Sequence, residues 1–254
     1  MLTVDSLHFS YPGTRLLTGI HLKARNGEII GILGRNGSGK STLLEIIFGI
    51  KSEASGYVAW DGGAARRLYT KRGVAAYLPQ DSFLPPGIRV RRLIPRVVKK
   101  GCVEELRQDP RIAYILNRRV HQLSGGEKRY LELRLLFGRK ASLYLLDEPL
   151  NEMDPVGREI VVELIKKAAE TAAVILTGHV YRDIFELSRR TFVIKDGQLY
   201  PADGKEDVRR LGFLPLRDGP VTGPGATGPG VAGSGVTGPA LAEPQESKDD
   251  PNAN

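Results

Sequence analysis

Apolar residues along this chain fall into runs of different period, and each period predicts a different element. Between Leu2 and Phe9 the apolar positions Leu2, Val4, Leu7 and Phe9 make a broken alternation, the pattern of a strand with one exposed face. Ile29 to Leu33 is instead almost wholly apolar, interrupted by Gly31 alone, and Leu143 to Leu146 and Val174 to Thr177 have the same character. Runs this short and this apolar predict strands covered on both faces, as in a parallel sheet flanked by helices. Helical patterns occupy Ser41 to Ile50, Glu127 to Phe137, and the stretch from Pro155 to about Thr171. Pro155 suits a first helical turn, where the amide hydrogen it lacks would have no partner. Buried strands separated by helices predict an α/β fold with a mainly parallel sheet core, its ligands at the carboxyl ends of the strands. Asp147 and His179 stand at such ends.

Elsewhere the pattern changes twice. From Asp81 to Lys140 strand-like runs vanish, Arg, Lys and Leu dominate, and Pro85, Pro86, Pro95 and Pro110 punctuate short helical stretches, which predicts a helical subdomain over about 81–140. Phe192 to Ile194 and Gln198 to Tyr200 flank the turn residues Asp196-Gly197 and predict a β-hairpin. From Val221 the near-repeats VTGPG, ATGPG, VAGSG and VTGPA run to Ala240. Glycine is not at every third position there, which excludes a collagen helix. With almost no large apolar side chains, the stretch cannot offset its ordering entropy. The expected organisation is one domain over 1–218 and a disordered Gly/Pro-rich tail over 219–254.

Composition adds bounds. A chain of 254 residues, 41% of them hydrophobic, can bury one sizeable core or two small ones. No apolar run reaches the roughly 18 residues of a membrane helix, and the start of the chain lacks a basic region followed by an apolar one. The single cysteine, Cys102, excludes an internal disulfide and suits a reducing compartment, so a cytoplasmic protein is expected. The net charge of +8 suits nucleic acid, an anionic membrane surface, a phosphorylated ligand or a solvated basic face. Its clusters, Arg66-Arg67, Arg89 to Arg92, Lys99-Lys100, Arg118-Arg119 and Arg189-Arg190, lack the interleaved aromatics of a single-strand-binding platform.

The candidate chemistry starts at Gly34-Arg35-Asn36-Gly37-Ser38-Gly39-Lys40-Ser41, which fits the phosphate-loop pattern between a strand and a helix. Glycines let successive amides point at phosphate oxygens, Lys40 reaches the β and γ phosphates, and the Ser41 hydroxyl can ligate Mg²⁺. Asp147-Glu148 follows the apolar strand Leu143 to Leu146. One carboxylate can hold Mg²⁺ through water while the other polarises an attacking water; an ordinary strand exit at Asp-Glu-Pro is the competing reading. Ser124-Gly125-Gly126 opens the helix at Glu127 and offers a second anion site at its positive end. Ser124 and Glu127 also have the spacing of a capping box, and both readings can hold at once. One chain cannot easily fold both anion sites onto one γ-phosphate.

On these motifs the chain resembles the ATP-binding subunit of an ABC transporter, over about Leu2 to Leu214. The resemblance implies a phosphate-loop NTPase cassette with an antiparallel β edge and a helical subdomain beside its parallel core. It makes Gly34 to Thr42 the Walker A loop, with Gly34, Asn36, Gly37, Ser38, Gly39, Lys40, Ser41 and Thr42 at ATP. Gln80, in Tyr77-Leu78-Pro79-Gln80, becomes the Q-loop glutamine that reaches the metal, and Leu123 to Glu127 the family signature. Asp147 ends the Walker B strand and joins Ser41 and Gln80 at Mg²⁺; Glu148 is the catalytic base, Asp154 the D-loop aspartate and His179 the switch histidine. Tyr11 is similar to the aromatic that stacks on adenine.

The same resemblance implies a head-to-tail homodimer or heterodimer of cassettes with two ATP molecules between them, hydrolysis to ADP and phosphate, and transmembrane permease subunits as partners. It implies a place on the inner face of the cell membrane and no direct contact with nucleic acid. Two departures bear on communication between the paired sites. The D-loop reads Leu150-Asn151-Glu152-Met153-Asp154 where the family more often has small residues, and Lys128 follows the signature where glutamine or arginine is common. A soluble cassette acting on RNA, the ribosome or cofactor assembly is the alternative function, favoured by the charge; translation-type relatives usually carry two cassettes, whereas one phosphate loop occurs here.

Overall fold

A computed structural model of the chain describes residues 1–214, apart from 53 and 66. The expected tail, 219–254, lies outside the described residues. In chain order the first half holds β1 (Leu2–Tyr11), β2 (Thr14–Ala24), β3 (Ile29–Leu33), α1 (Lys40–Phe48), β4 (Ser55–Trp60), β5 (Gly63–Ala64), β6 (Ala75–Leu78), α2 (Val90–Val97), α3 (Val103–Gln108) and α4 (Pro110–Ile115). The second half holds α5 (Gly125–Phe137), β7 (Leu143–Leu146), α6 (Pro155–Ala169), β8 (Ala173–Gly178), α7 (Tyr181–Leu187), β9 (Arg190–Lys195), β10 (Gln198–Ala202) and α8 (Lys205–Arg210).

The three apolar runs become the centre of a six-stranded sheet of order β10-β9-β3-β8-β7-β6. Every neighbouring pair in it is parallel except β9 and β10, the hairpin that the Asp196-Gly197 turn predicts. A second sheet, β2-β1-β4-β5, is antiparallel throughout. Its four strands are the antiparallel edge of the fold; of these, β1 alone shows a clear period in the sequence.

Successive side chains of a strand point to opposite faces, so a strand buried throughout must feed two cores. β3 does so: Ile30 and Ile32 pack with α1 and the inner residues of the second sheet, among them Leu2, Val4, Leu17 and Ile20. Ile29 and Leu33 pack on the other side with helix residues including Leu131, Val161, Ile165 and Ile184. Gly31 lies on that second side because a Cβ there would overlap Ile184 and Ser188; the break in the apolar run is what lets α7 approach the sheet. Truncating one of these fully buried leucines or isoleucines to alanine should cost about 2–5 kcal/mol.

Between β6 and β7 the described elements are helices and 3-10 turns. Asp109 organises this region. It caps α4 by accepting from the amides of Arg111 and Ile112 while Pro110 takes the first helical position, and it also accepts from the Tyr130 hydroxyl at 2.6 Å and pairs with Arg134 at 3.2 Å. A part-buried carboxylate so partnered ties α4 to α5. Burial and the Asp109 carboxylate together push the Tyr130 hydroxyl well above the ordinary tyrosine pKa. No described helix is long and apolar enough to cross a membrane.

Candidate active site

The loop between β3 and α1 is shaped for an anion. Gly39, at φ +100°, is the N-cap of α1 and supplies no side-chain cap, so the first amides of the helix stay open towards the loop. The Ser38 hydroxyl is buried with no hydrogen-bond partner among the described residues. A Cβ on Gly34 would overlap that hydroxyl where it now lies. Lys40, 6% exposed, turns its ammonium to the carbonyls of Gly34 at 2.9 Å and Arg35 at 3.4 Å. An orphaned hydroxyl, open helix amides and a buried cation form a donor set fitted to phosphate oxygens.

β7 brings Asp147 and Glu148 to this loop, and β8 brings Thr177 and His179. The Lys40 ammonium lies 3.7 Å from the Glu148 carboxylate. Asp147 is fully buried; it accepts from the Thr177 hydroxyl at 2.6 Å and from Tyr77 at 3.5 Å. Burial, with the charge of Asp147 beside it, raises the Tyr77 hydroxyl far above its ordinary pKa, so Tyr77 stays a proton donor to that carboxylate. Glu148 takes φ +48°, a strained region for a residue with a side chain. It is held there by its amide, which donates to Thr177 Oγ1 at 3.0 Å, and by its carbonyl, which accepts from Arg129 at 3.1 Å. Its side chain meets Asn151 Nδ2 and, at 3.5 Å, His179 Nδ1.

Other residues singled out in the sequence lie around this centre. Ser41 and Thr42 belong to the first turn of α1, with Asn36 and Gly37 exposed on the loop ahead of them. Tyr11, 45% exposed, accepts from Lys51 at 3.1 Å and neighbours Thr42; the Lys51 and Thr42 hydrogen bonds hold its pKa below the usual tyrosine value. Gln80 is exposed, just past the end of β6.

Ser124, Gly125, Gly126 and Asp154 are not brought to the phosphate loop. They line a separate cavity of about 480 Å³ with Arg111, Tyr130 and Glu152. The capping box is present: Ser124 Oγ accepts from the Glu127 amide at 3.1 Å, and Glu127 accepts from the Ser124 amide at 2.8 Å. Burial opposes the charge of Glu127, but the Ser124 amide and the Arg118 guanidinium hold its carboxyl below the usual range. Asp154 caps α6, accepting from the Gly157 amide at 2.7 Å. The Glu152 carboxylate lies over the signature itself, where a Cβ on Gly125 would overlap it.

Sequence reasoning missed Thr177, Arg129, Glu132 and Asn151. A signal existed for two of them. Arg129, Glu132, Leu133 and Leu136 occupy i, i+3, i+4 and i+7, so a pair of opposite charges interrupts the buried stripe of α5. Thr177 ends an apolar strand, and nothing in its period separates it from an ordinary buried threonine.

This arrangement meets known proteins at several points. The family model for ABC transporters matches residues 17–151, just over half of the chain. The energy-coupling factor transporter ATP-binding protein of Methanothermobacter thermautotrophicus is 29% identical over 215 residues, which is 78% of this chain and 69% of that protein. The lipopolysaccharide export system ATP-binding protein of Haemophilus influenzae is 25% identical over 226 residues, 82% of this chain and 92% of its own length. A dimeric bacterial ABC transporter cassette superposes with a TM-score of 0.70 at 21% identity, covering 78% of this chain and 96% of that one. These matches do not favour the RNA- or ribosome-acting alternative. With a phosphate cradle, a buried Asp-Glu pair at a strand end and a signature on its own helix, the chain belongs to the ABC transporter family as an ATP-binding, ATP-hydrolysing subunit.

Proposed function

We propose that the chain energises transport by hydrolysing ATP at an interface between two cassettes, each contributing one half of every site. The observation that carries this reading is the separation of the two anion-binding motifs: Lys40, Asp147 and Glu148 converge on the loop at 34–41, while Ser124 to Gly126 open a cavity that no residue of that loop lines. A second copy, or a related cassette, supplies the missing half head to tail. The dimeric cassette of similar fold supports this arrangement.

In each half the loop amides, Ser38 and Lys40 bind the phosphates, Thr42 and Asn36 line the nucleotide, and Tyr11 faces the base. Mg²⁺ suits Ser41, Asp147 and Gln80, and bound there it would neutralise phosphate charge. Glu148 orients and deprotonates the attacking water, with His179 beside it to steady the developing charge. Across the interface Ser124, Gly125 and Gly126 meet the γ-phosphate and Asp154 joins the two halves. We assign the cassette domain to 1–218, of which 215–218 lie outside the described residues, and its helical part to about 81–140.

The permease partner docks in the groove of about 370 Å³ lined by Phe48, Tyr77, Phe83, Val97 and Leu136. Its apolar lining includes Phe83, 43% exposed and three residues past Gln80, so a membrane subunit seated there touches the segment that senses nucleotide. Seated so, the protein works in the cytoplasm, peripheral on the membrane.

Replacing Glu148 by glutamine tests the assignment. Hydrolysis should fall by about 10²–10⁴-fold and an ATP-bound dimer should accumulate, seen by light scattering. Wild-type turnover in Glu148→Gln would refute the base.

A further inference from the structure

Arg129 lies in the second turn of α5, 6% exposed, and Glu132 one turn on is 1% exposed. Arg129 Nη1 donates to the Pro79 carbonyl at 2.7 Å and to Glu132 at 3.3 Å, while Nη2 donates to the Asp147 carbonyl and, at 3.1 Å, to that of Glu148. Glu132 in turn accepts from the Ser82 hydroxyl at 2.5 Å. One ion pair thus grips the chain on both sides of Gln80 and the backbone of both acidic residues at the end of β7.

A buried ion pair is a costly way to pack a helix, since apolar side chains of similar volume stabilise as well or better. The Nε of Arg129 even lacks an acceptor among the described residues. What an apolar pair could not do is fix carbonyls from two separate elements with one planar fork of donors. Glu148 needs such a hold, because its left-handed backbone is strained; Arg129 supplies one of the bonds that keep it, beside the Asn151 amide on the same carbonyl at 3.2 Å and Thr177 on the amide.

α5 also begins with Ser124, Gly125 and Gly126, and Arg129 follows about 7 Å further along the same helix axis. Force applied at the signature is therefore delivered, through one rigid element, to the backbone of the base. The geometry points to Arg129 as a positioning residue that carries occupancy of the partner's ATP site, felt at the signature, to Glu148 and Gln80 of its own site. The inference rests on the two-copy reading above.

Arg129→Lys is the informative change, because it keeps the charge opposite Glu132 while one nitrogen cannot reach the carbonyls of both Pro79 and Asp147. Its kcat should fall about 10–100-fold, as expected when a reacting group is slightly misplaced, and the Hill coefficient for ATP should drop to about one. The affinity of the monomer for a fluorescent ATP analogue should stay near wild type, and the thermal midpoint, lowered by the loss of a donor to buried carbonyls, should still lie well above the assay temperature. Glu132→Gln, which leaves the arginine in place but loosens it, should give the same pattern more weakly and covers the case in which the lysine variant does not fold. Wild-type kcat and Hill coefficient in the folded variants overturn the proposal, as does a loss of turnover that only tracks the loss of folded protein. Lost kcat with cooperativity intact, or a wild-type chain without cooperativity, overturns the coupling. Failure of Glu148→Gln to form any ATP-bound dimer would instead strike the two-copy reading.

Discussion

The phosphate loop with its acidic pair and the signature with its D-loop, the two candidate anion sites, both lie at helix N-termini, yet they are built in opposite ways. Around the loop, Lys40, Asp147, Glu148 and Thr177 are each at most 6% exposed and bonded to one another or to the loop carbonyls. Around the signature, Ser124, Glu152 and Asp154 are exposed, and the hydroxyl and carboxylates there cap their own helices or lie over glycine. A site whose groups are locked before the ligand arrives loses little freedom on binding. One whose groups are satisfied locally must give something up, which is what a contact made only in a closed dimer requires.

The sharpest way to break this contrast is Ser124→Arg. A large cation at the mouth of the signature cavity should abolish dimer closure and steady-state turnover, at the cost of one helix cap worth about 1 kcal/mol. ATP binding to the monomer should persist, measured by equilibrium titration with a fluorescent analogue. If monomer binding vanished as well, the two sites would not be separate.

Thr177→Val tests the locked half. The hydroxyl both donates to Asp147 and accepts from the Glu148 amide, so its loss leaves that buried amide unpaired, at about 1–3 kcal/mol, and strips Asp147 of its shorter side-chain donor while Tyr77 remains. Turnover should drop severalfold with a lower thermal midpoint. Signature-dependent dimerisation, assayed in the Glu148→Gln background, should weaken less than hydrolysis does; equal losses would mean that Thr177 serves the whole fold.

The two halves also differed in how legible they were. Short apolar runs and the glycine pattern of 34–41 dictate β3, β7, β8 and the loop, because a doubly covered strand has no polar positions to confuse its period. Ser124 with Glu127 announced the start of α5 for the same local reason. The strands β2, β4, β5 and β6 went unread since their burial comes from partners far along the chain, and α7 and α8 are too short to show a period. Arg129 and Thr177 act through backbone groups of other elements, and a sequence does not print which carbonyl a side chain will meet. The displaced position of Ser124 and Asp154 relative to the loop was readable only as the argument that one chain could not bring both motifs to one phosphate.

Glu152 gives a smaller test on the open half. The Glu152 carboxylate lies over Gly125, and on the proposed two-copy reading it would repel a phosphate brought to the signature. Glu152→Ala should therefore let the Glu148→Gln protein dimerise at an ATP concentration about three- to tenfold lower, read by light scattering across a titration. An unchanged midpoint would show that the carboxylate swings clear at no cost.

The smallest effect is expected at Glu127, where the signature meets the pH of the solvent. Its carboxyl is held below the usual range by the Ser124 amide and Arg118, the latter at 2.8 Å, against the opposing pull of burial. A depressed carboxylate stabilises fully above its unfolded value, near 4.3, and that contribution fades as the pH falls through the folded value. Glu127→Gln keeps the capping bond, since glutamine can accept it, and loses only the half-exposed ion pair and its place at the positive end of α5. The thermal midpoint of the variant should thus sit below wild type at neutral pH by an amount equivalent to about 0.5–1 kcal/mol, and the two curves should converge as the pH falls through the lowered carboxyl pKa of the folded protein. A gap that persisted unchanged into acid would mean that shape rather than charge holds the signature to its helix, and the contrast between a locked and an open half would then have to be drawn without electrostatics.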